Sequence, residues 1–281
     1  MTNVEEHDIM ATKTVLITGS NSGIGSETVK AFANAGWNVA ATMRNTANDG
    51  ALSKLPRVRV YQLDVTDAES VSSAFRDVIK DHGHIDVVVN NAGYGLVGVF
   101  ESMTDDVLQR QFETNVIGLM RVTRAAISHM RERRSGTIVQ VSSMGGRITF
   151  PLYAPYHATK WAVEGFTESL QWELEQVGIR VKLVEPGLIK TDFAGRSSEM
   201  SFLPSPNPYE SFIAKFNTAA TKALADAVEP AIVAAAILKA ATDTSSTLRY
   251  PVGNPAPMLL RLRKLLSDSM FFSMIRKAYK L

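Results

Sequence analysis

Tyr156 and Lys160 stand four residues apart in the stretch Tyr-His-Ala-Thr-Lys, which opens a segment where Val163, Phe166, Leu170 and Leu174 recur at spacings of three and four. That periodicity predicts a helix with one apolar face. On a helix, residues four apart sit nearly one above the other, so the phenol and the ammonium share a face. A tyrosine ordinarily ionises near ~10 and is a poor base at neutral pH, but a fixed positive charge a few ångströms away favours the phenolate. One pKa unit corresponds to about 1.4 kcal/mol, so lowering the phenol by two or three takes about 3–4 kcal/mol, within reach of one lysine acting with a cationic cofactor. A tyrosine tuned in this way gives a proton to a carbonyl oxygen or takes one from an alcohol. The same spacing also occurs on surface helices, so other segments decide between chemistry and solvation. His157, beside Tyr156, points about 100° away around the helix and reads as structural.

The elements that must position this pair belong to a chain of 281 residues, 45% hydrophobic and 21% charged, the balance of an ordinary globular protein. That length holds one large α/β core or two small ones. Lys and Arg number 30 against 28 Asp and Glu, a net charge of +2 that argues against nucleic acid as the main partner. The absence of cysteine excludes disulfides, thiolate chemistry and cysteine-ligated zinc. The first dozen residues, with Glu5, Glu6 and Asp8, lack the basic start and apolar run of a secretory signal, and no run is apolar enough to span a membrane. A cytoplasmic protein with a flexible N-terminus over residues 1–12 is expected.

Val15-Leu16-Ile17 is a continuously apolar run, as a parallel strand buried on both faces should be. It leads into Thr18-Gly19-Ser20-Asn21-Ser22-Gly23-Ile24-Gly25 and then a helical pattern through Val29, Phe32 and Ala33. Strand, glycine-rich turn and helix together make a phosphate-binding site: glycines let the backbone approach a pyrophosphate, and the helix N-terminus supplies free N–H groups. The glycines read G-x-x-x-G-x-G rather than the G-x-G-x-x-G of the dinucleotide fingerprint.

That glycine spacing preceded by threonine, together with Tyr-x-x-x-Lys, resembles the short-chain dehydrogenase/reductase family. The family's other landmarks follow in order over about residues 13–253. Asp64-Val65 ends a third strand, Val58 to Leu63, where the family places residues flanking the adenine. Thr66 and Glu69 then form a capping box for a helix to about Ile79. Asn90-Asn91-Ala92-Gly93 ends a strand from Ile85 and carries the family's Asn-Ala-Gly beneath the cofactor. Thr104 is the expected N-cap of a long helix bearing Asn115, which matches the family asparagine whose main-chain carbonyl holds a water near the lysine. Gly136 to Val141 is a strand ending in Ser142-Ser143. Adjacent strand residues point to opposite faces, so one serine faces the site. Ser143 matches the catalytic serine, with Ser142 as the alternate. Arg180 to Glu185 is a strand followed by Pro186-Gly187, after which the resemblance assigns Ile189 and Thr191 to the nicotinamide carboxamide.

The resemblance implies a doubly wound Rossmann-type α/β fold, a mostly parallel sheet with helices on both faces and the site at the carboxyl ends of the strands. Residues 13–281 are expected to form a single cofactor-binding domain. Arg44 ends the second strand, Asn38 to Met43, with no carboxylate between Trp37 and Thr46, and so points to NADP(H) through the 2′-phosphate. Ser22 stands where relatives carry a second basic residue, so the preference rests on Arg44. Implied catalytic residues are Asn115, Ser143, Tyr156 and Lys160. Implied cofactor contacts are Gly19, Asn21, Ser22, Gly23, Ile24 and Gly25, then Arg44, Asp64, Val65, Asn91, Ala92 and Gly93, with Tyr156, Lys160, Pro186, Gly187, Ile189 and Thr191. No metal is expected, because His82 and His84 lack a third ligand nearby.

Ala-Thr-Met-Arg at the second strand and Met-Gly-Gly after Ser143 are similar to the hydroxysteroid and retinol dehydrogenase branch, whose members act on carbonyl/secondary alcohol pairs. Phe202, Leu203, Tyr209, Phe212 and Phe216 make the expected lid, residues 193–225, apolar, which favours a hydrophobic ketone or aldehyde. The extension 256–281 alternates apolar residues with Arg261, Arg263, Lys264, Arg276 and Lys277. Such a helix packs on its own domain or a second subunit more readily than on a membrane surface. Family members usually pair through the helices carrying Asn115 and Tyr156, so a homodimer or homotetramer is expected. The alternatives are a non-catalytic NADP(H)-sensing protein, against which an intact Ser143, Tyr156 and Lys160 argue, and an epimerase or dehydratase of the longer relatives' kind.

Overall fold

Strands apolar along their whole length must be covered on both faces, and the three central strands of this protein are buried at every residue: β1 (Thr14–Thr18), β4 (Val87–Asn90) and β6 (Gly136–Val141). The computed structural model describes residues 12–191 and 198–281. β2 (Asn38–Met43), β3 (Val58–Gln62), β7 (Ile179–Pro186) and β9 (Arg249–Val252) complete a seven-stranded sheet in the order β3-β2-β1-β4-β6-β7-β9. Every pairing in it is parallel. The expected Rossmann-type architecture is what the chain adopts.

Alternation along the strands divides the core. Val15 and Ile17 point toward α1 (Gly23–Asn34) and α7 (Pro230–Thr242), where they meet Val29, Phe32, Val233 and Ile237. Leu16, Val88 and Ile138 point the other way. They meet Val71 and Phe75 of α2 (Ala68–His82), Val122 and Met130 of α4 (Leu119–Arg133), and Leu170 and Leu174 of α5 (Ala154–Glu175). From β1 the chain moves out to β2 and β3, then returns to place β4 on β1's other side. That reversal opens a crevice at the carboxyl ends of β1 and β4, where such folds bind ligands.

Several local expectations change. The N-cap of α2 is Asp67, whose carboxylate accepts from Glu69 N and Ser70 N; the Thr66 hydroxyl instead donates to Asp64 Oδ1 at 2.7 Å. The helix after Thr104 is not continuous. α3 (Asp105–Phe112) passes through a π turn over Glu113–Gly118 into α4, and Thr104 caps the start without a side-chain bond. The lid contains a strand the sequence did not announce. β5 (Gly95–Gly98) pairs in parallel with β8 (Ser198–Ser201), and α6 (Glu210–Leu224) follows. Residues 1–11 and 192–197, parts of the expected N-terminus and lid, lie outside the described residues. At the C-terminus, α8 (Ala256–Leu265) and α9 (Asp268–Tyr279) bury Leu260 and Phe271 against Met144 and Ile148 of their own domain. Among the described residues no helix is long and apolar enough to cross a membrane.

Candidate active site

The glycine loop is closed by side chains from the neighbouring strand. Asn91 Nδ2 donates to the carbonyls of Thr18 at 2.9 Å and Gly19 at 3.0 Å. Thr18 Oγ1 in turn accepts from Asn91 N and Ala92 N, each at 3.0 Å. Thr18, which the sequence marks only as the threonine before the glycines, is thus a structural member of the site. Gly25 tolerates no side chain, since a Cβ there would lie 2.2 Å from the Gly19 carbonyl and 2.7 Å from Asn91 Nδ2. Gly23 has φ +52° and lies against Thr191, to which a Cβ would come within 3.2 Å. The loop from β1 and the segment after β7 therefore meet. Ser22, the N-cap of α1, makes no side-chain cap, so the first-turn amides of this helix keep free donors for an anion. A cradle of close backbone at an uncapped helix start fits a dinucleotide pyrophosphate.

The remaining cofactor candidates ring this loop. Asn21 is exposed, Ser22 is half-buried and Ile24 packs on the core beneath. Arg44 is exposed one residue beyond β2. Asp64 Oδ1 is taken by Thr66, and the buried Val65 packs against Gly118, where a Cβ would meet Val65 Cγ2 at 2.7 Å. Gly93 faces Asn115, whose Oδ1 would be 3.1 Å from a Cβ. Pro186 is buried, and Gly187 is held under Asn254, whose carbonyl would lie 2.4 Å from a Cβ. Ile189 bridges to Val228. Among the described residues no three potential ligands gather to hold a metal; His82 lies 3.1 Å from the Tyr61 hydroxyl, and His84 pairs with Asp86.

At the other end of the crevice Ser143, Tyr156, Lys160 and Asn115 converge. Ser143 Oγ accepts from Gly145 N at 3.0 Å and bonds the Tyr156 phenol. Ser142 is turned away toward Gly146 and Glu164, so Ser143 is the serine at the site. Lys160, one turn along α5, places its Nζ 5.9 Å from the Tyr156 ring centroid and donates to the Val141 carbonyl at 2.9 Å. Asn115 sits in the π turn and is fixed three ways: Oδ1 accepts from Tyr94 N at 3.0 Å, while Nδ2 donates to Tyr94 O at 2.8 Å and Thr159 Oγ1 at 3.2 Å. This ties the strand-end loop to α5 beside Lys160. Such π turns recur at functional sites because they displace one carbonyl from the regular ladder.

Burial governs the protonation of this cluster. It pushes the Tyr156 phenol up to about 12, with the Ser143 hydroxyl pulling the other way. It depresses Lys160 to about 8, and the Glu164 charge resists. Burial thus dominates and the phenol stands above its ordinary value, so the lowering expected of the pair falls to Lys160 acting together with a cationic cofactor. His157 is structural as expected. Its Nε2 accepts from Phe150 N at 3.0 Å, so Nδ1 carries the proton and donates to the Gly145 carbonyl at 2.9 Å.

The chain's likenesses run the same way. A model of the family described as short chain dehydrogenase matches residues 13–201. An uncharacterised oxidoreductase of Schizosaccharomyces pombe is 38% identical over 240 residues, 84% of this chain and 98% of its own. Retinol dehydrogenase 8 of Bos taurus is 40% identical over 198 residues, covering 67% and 63% of the two chains. The crystal structure of a short-chain dehydrogenase from Streptomyces avermitilis superposes with a TM-score of 0.80 at 34% identity, covering 94% of this chain and 98% of that one. ElxO with NADP bound superposes at 0.70 with 27% identity, over 85% and 97%. A family match running through every strand of the main sheet but the last, and a relative this alike over most of its length, make this protein a member of the short-chain dehydrogenase family of oxidoreductases.

Proposed function

We propose that this oxidoreductase transfers a hydride between NADP(H) and a carbonyl/secondary alcohol pair, with a hydrophobic ketone or aldehyde as substrate. The observation that carries the reading is the Tyr156 phenol bonded to Ser143, with the Lys160 ammonium one helical turn behind it. The nicotinamide, when bound, supplies or accepts the hydride. Ser143 holds the substrate oxygen and stabilises charge developing there. Tyr156 delivers the proton in reduction and removes it in oxidation. The cation of Lys160 favours the phenolate left behind and would bond the nicotinamide ribose, and the Asn115 main-chain carbonyl in the π turn would hold a water behind the lysine.

The glycine cradle and the start of α1 would hold the pyrophosphate, Asp64 and Val65 the adenine, and Ile189 and Thr191 the carboxamide. The exposed Arg44 would take the 2′-phosphate, and the NADP-bound state of ElxO supports that choice. The apolar lid over Leu152, in which Phe216 is buried with Tyr209 and Phe212 beside it, favours a hydrophobic substrate. We further infer a homodimer or homotetramer working in the cytoplasm. Loss of NADPH absorbance with a panel from aliphatic and aryl ketones to ketosteroids and retinal, run beside NADH, tests the reading. Turnover favouring NADPH is expected. NADPH binding without turnover of any panel member would favour a cofactor-sensing protein instead.

A further inference from the structure

One turn along α5 from Lys160, two carboxylates are buried around a common arginine. Glu164 lies one turn beyond Lys160 on α5 with its side chain 6% exposed, and Glu185 near the end of β7 is fully buried. Both reach the same nitrogen: Arg249 Nε is 3.0 Å from Glu164 Oε2 and 3.6 Å from Glu185 Oε1. Arg147, from the loop carrying Ser143, approaches Glu185 Oε1 at 3.3 Å. Arg249 also pairs with the exposed Glu168 at 2.5 Å, which draws part of its charge to the surface. The opposite oxygens, Glu164 Oε1 and Glu185 Oε2, have no hydrogen-bond partner among the described residues. Ser142 Oγ lies beside Glu164 and favours its charged form, yet is also without a partner of good geometry.

Two buried carboxylates that face a common arginine and leave an oxygen each unpaired are costly when both are ionised, and a proton held between them removes the like-charge repulsion and supplies a missing donor. We propose that Glu164 and Glu185 are positioning residues for the reaction: a carboxyl pair that holds one proton in common beside Lys160 and controls the negative charge the lysine faces. The reading rests on the role assigned to Lys160. The groups facing the pair are Lys160 and Glu168 on α5, Arg147 and Ser142 after β6, and Arg249 on β9. Burial, followed by repulsion from Glu164, lifts Glu185 to about 7, in accord with a proton held up to neutral pH. Gly146 has no side chain because a Cβ there would meet Glu164 Cγ at 2.8 Å and Ser142 Oγ at 2.9 Å, so the loop bearing Ser143 is moulded onto the pair.

The test needs no turnover. In the infrared spectrum of protein carrying ¹³C-labelled glutamate, a protonated carboxyl shows a C=O stretch that carboxylates lack. That band is expected in the wild type below about pH 7, to be lost in Glu185→Gln, and in Glu164→Gln, which removes the repulsion but not the burial, to fade at lower pH than in the wild type. No band in the wild type, a band surviving in Glu185→Gln, or a band whose pH dependence is unchanged in Glu164→Gln would overturn the shared proton. Activity then separates the two members. Glu164→Gln removes the charge that keeps Lys160 protonated, so the alkaline limb of kcat/KM for reduction should move down by about half a pH unit or more. Glu185→Gln leaves Glu164 ionised, so its limb should stay or move up. Equal displacement in both variants would reduce the pair to a structural role. If Tyr156→Phe keeps its turnover, the catalytic reading fails while the infrared result stands on its own. Thermal melts establish that each isosteric variant is folded, and should one not fold, the wild-type band and the other variant still decide.

Discussion

The Nζ of Lys160 donates to the carbonyl of Val141 at 2.9 Å, fixing the ammonium of α5 to the last residue of β6, the strand that leads into Ser143. One bond therefore aligns the helix bearing Tyr156 with the loop bearing Ser143. Because burial depresses Lys160 to about 8, its charge is present below that pH and lost as pH rises through it. Reduction by NADPH should accordingly fall on the alkaline side with an apparent pKa near 8, and Lys160→Met should lower kcat/KM by about 10²-fold or more. A pH profile flat through this range would contradict the assignment.

Asn91 holds the glycine loop through the carbonyls of Thr18 and Gly19. Asn91→Ala leaves both without that donor and should destabilise the fold by about 1–3 kcal/mol. NADPH affinity should fall with it, because the cradle is no longer held in shape. Chemical denaturation and fluorescence titration measure the two effects. Unchanged stability and affinity together would show that the loop holds itself.

His157 is buried as the neutral tautomer, and desolvation lowers it to about 4 from an ordinary value of 6.5. A depressed value means the unfolded chain takes the proton first. The contribution of His157 is thus complete above pH 6.5 and is lost as pH falls through about 4, worth about 3 kcal/mol across that window. The difference in unfolding free energy between wild type and His157→Gln should shrink over the same range. A difference independent of pH would mean that His157 is not held neutral.

Arg44→Asp exchanges the proposed phosphate partner for a group that accepts from ribose hydroxyls. NADPH binding should weaken by at least about tenfold while NADH binding holds or improves. Equal weakening of both would refute the cofactor preference.

How much of this was legible in the chain depends on where each feature is decided. The central strands and the glycine loop are written locally: Val15-Leu16-Ile17 has no polar face, and Gly23 and Gly25 stand where a side chain would meet Thr191 and the Gly19 carbonyl. The pairing of β5 with β8 is not local. Ser-Glu-Met-Ser has no apolar run, and only its partner Gly95–Gly98 makes it a strand. Thr66 and Asp67 are both good caps, and the contest is settled by Asp64, which takes the Thr66 hydroxyl. The π turn around Asn115 carries no signal in residue type. The burial that lifts the Tyr156 phenol is hidden for a related reason, since helical spacing reports neighbours but not desolvation. Glu164 and Arg249, 85 residues apart, meet only once β9 has joined the sheet.

Tyr156→Phe tests the central claim most directly, because it removes the phenolic oxygen and little else. The variant should bind NADPH with the wild-type constant by fluorescence, while turnover of the best ketone from the panel falls by about 10²–10⁴-fold. Turnover within a few-fold of wild type, with NADPH bound as before, would contradict the assignment of Tyr156 as the proton donor.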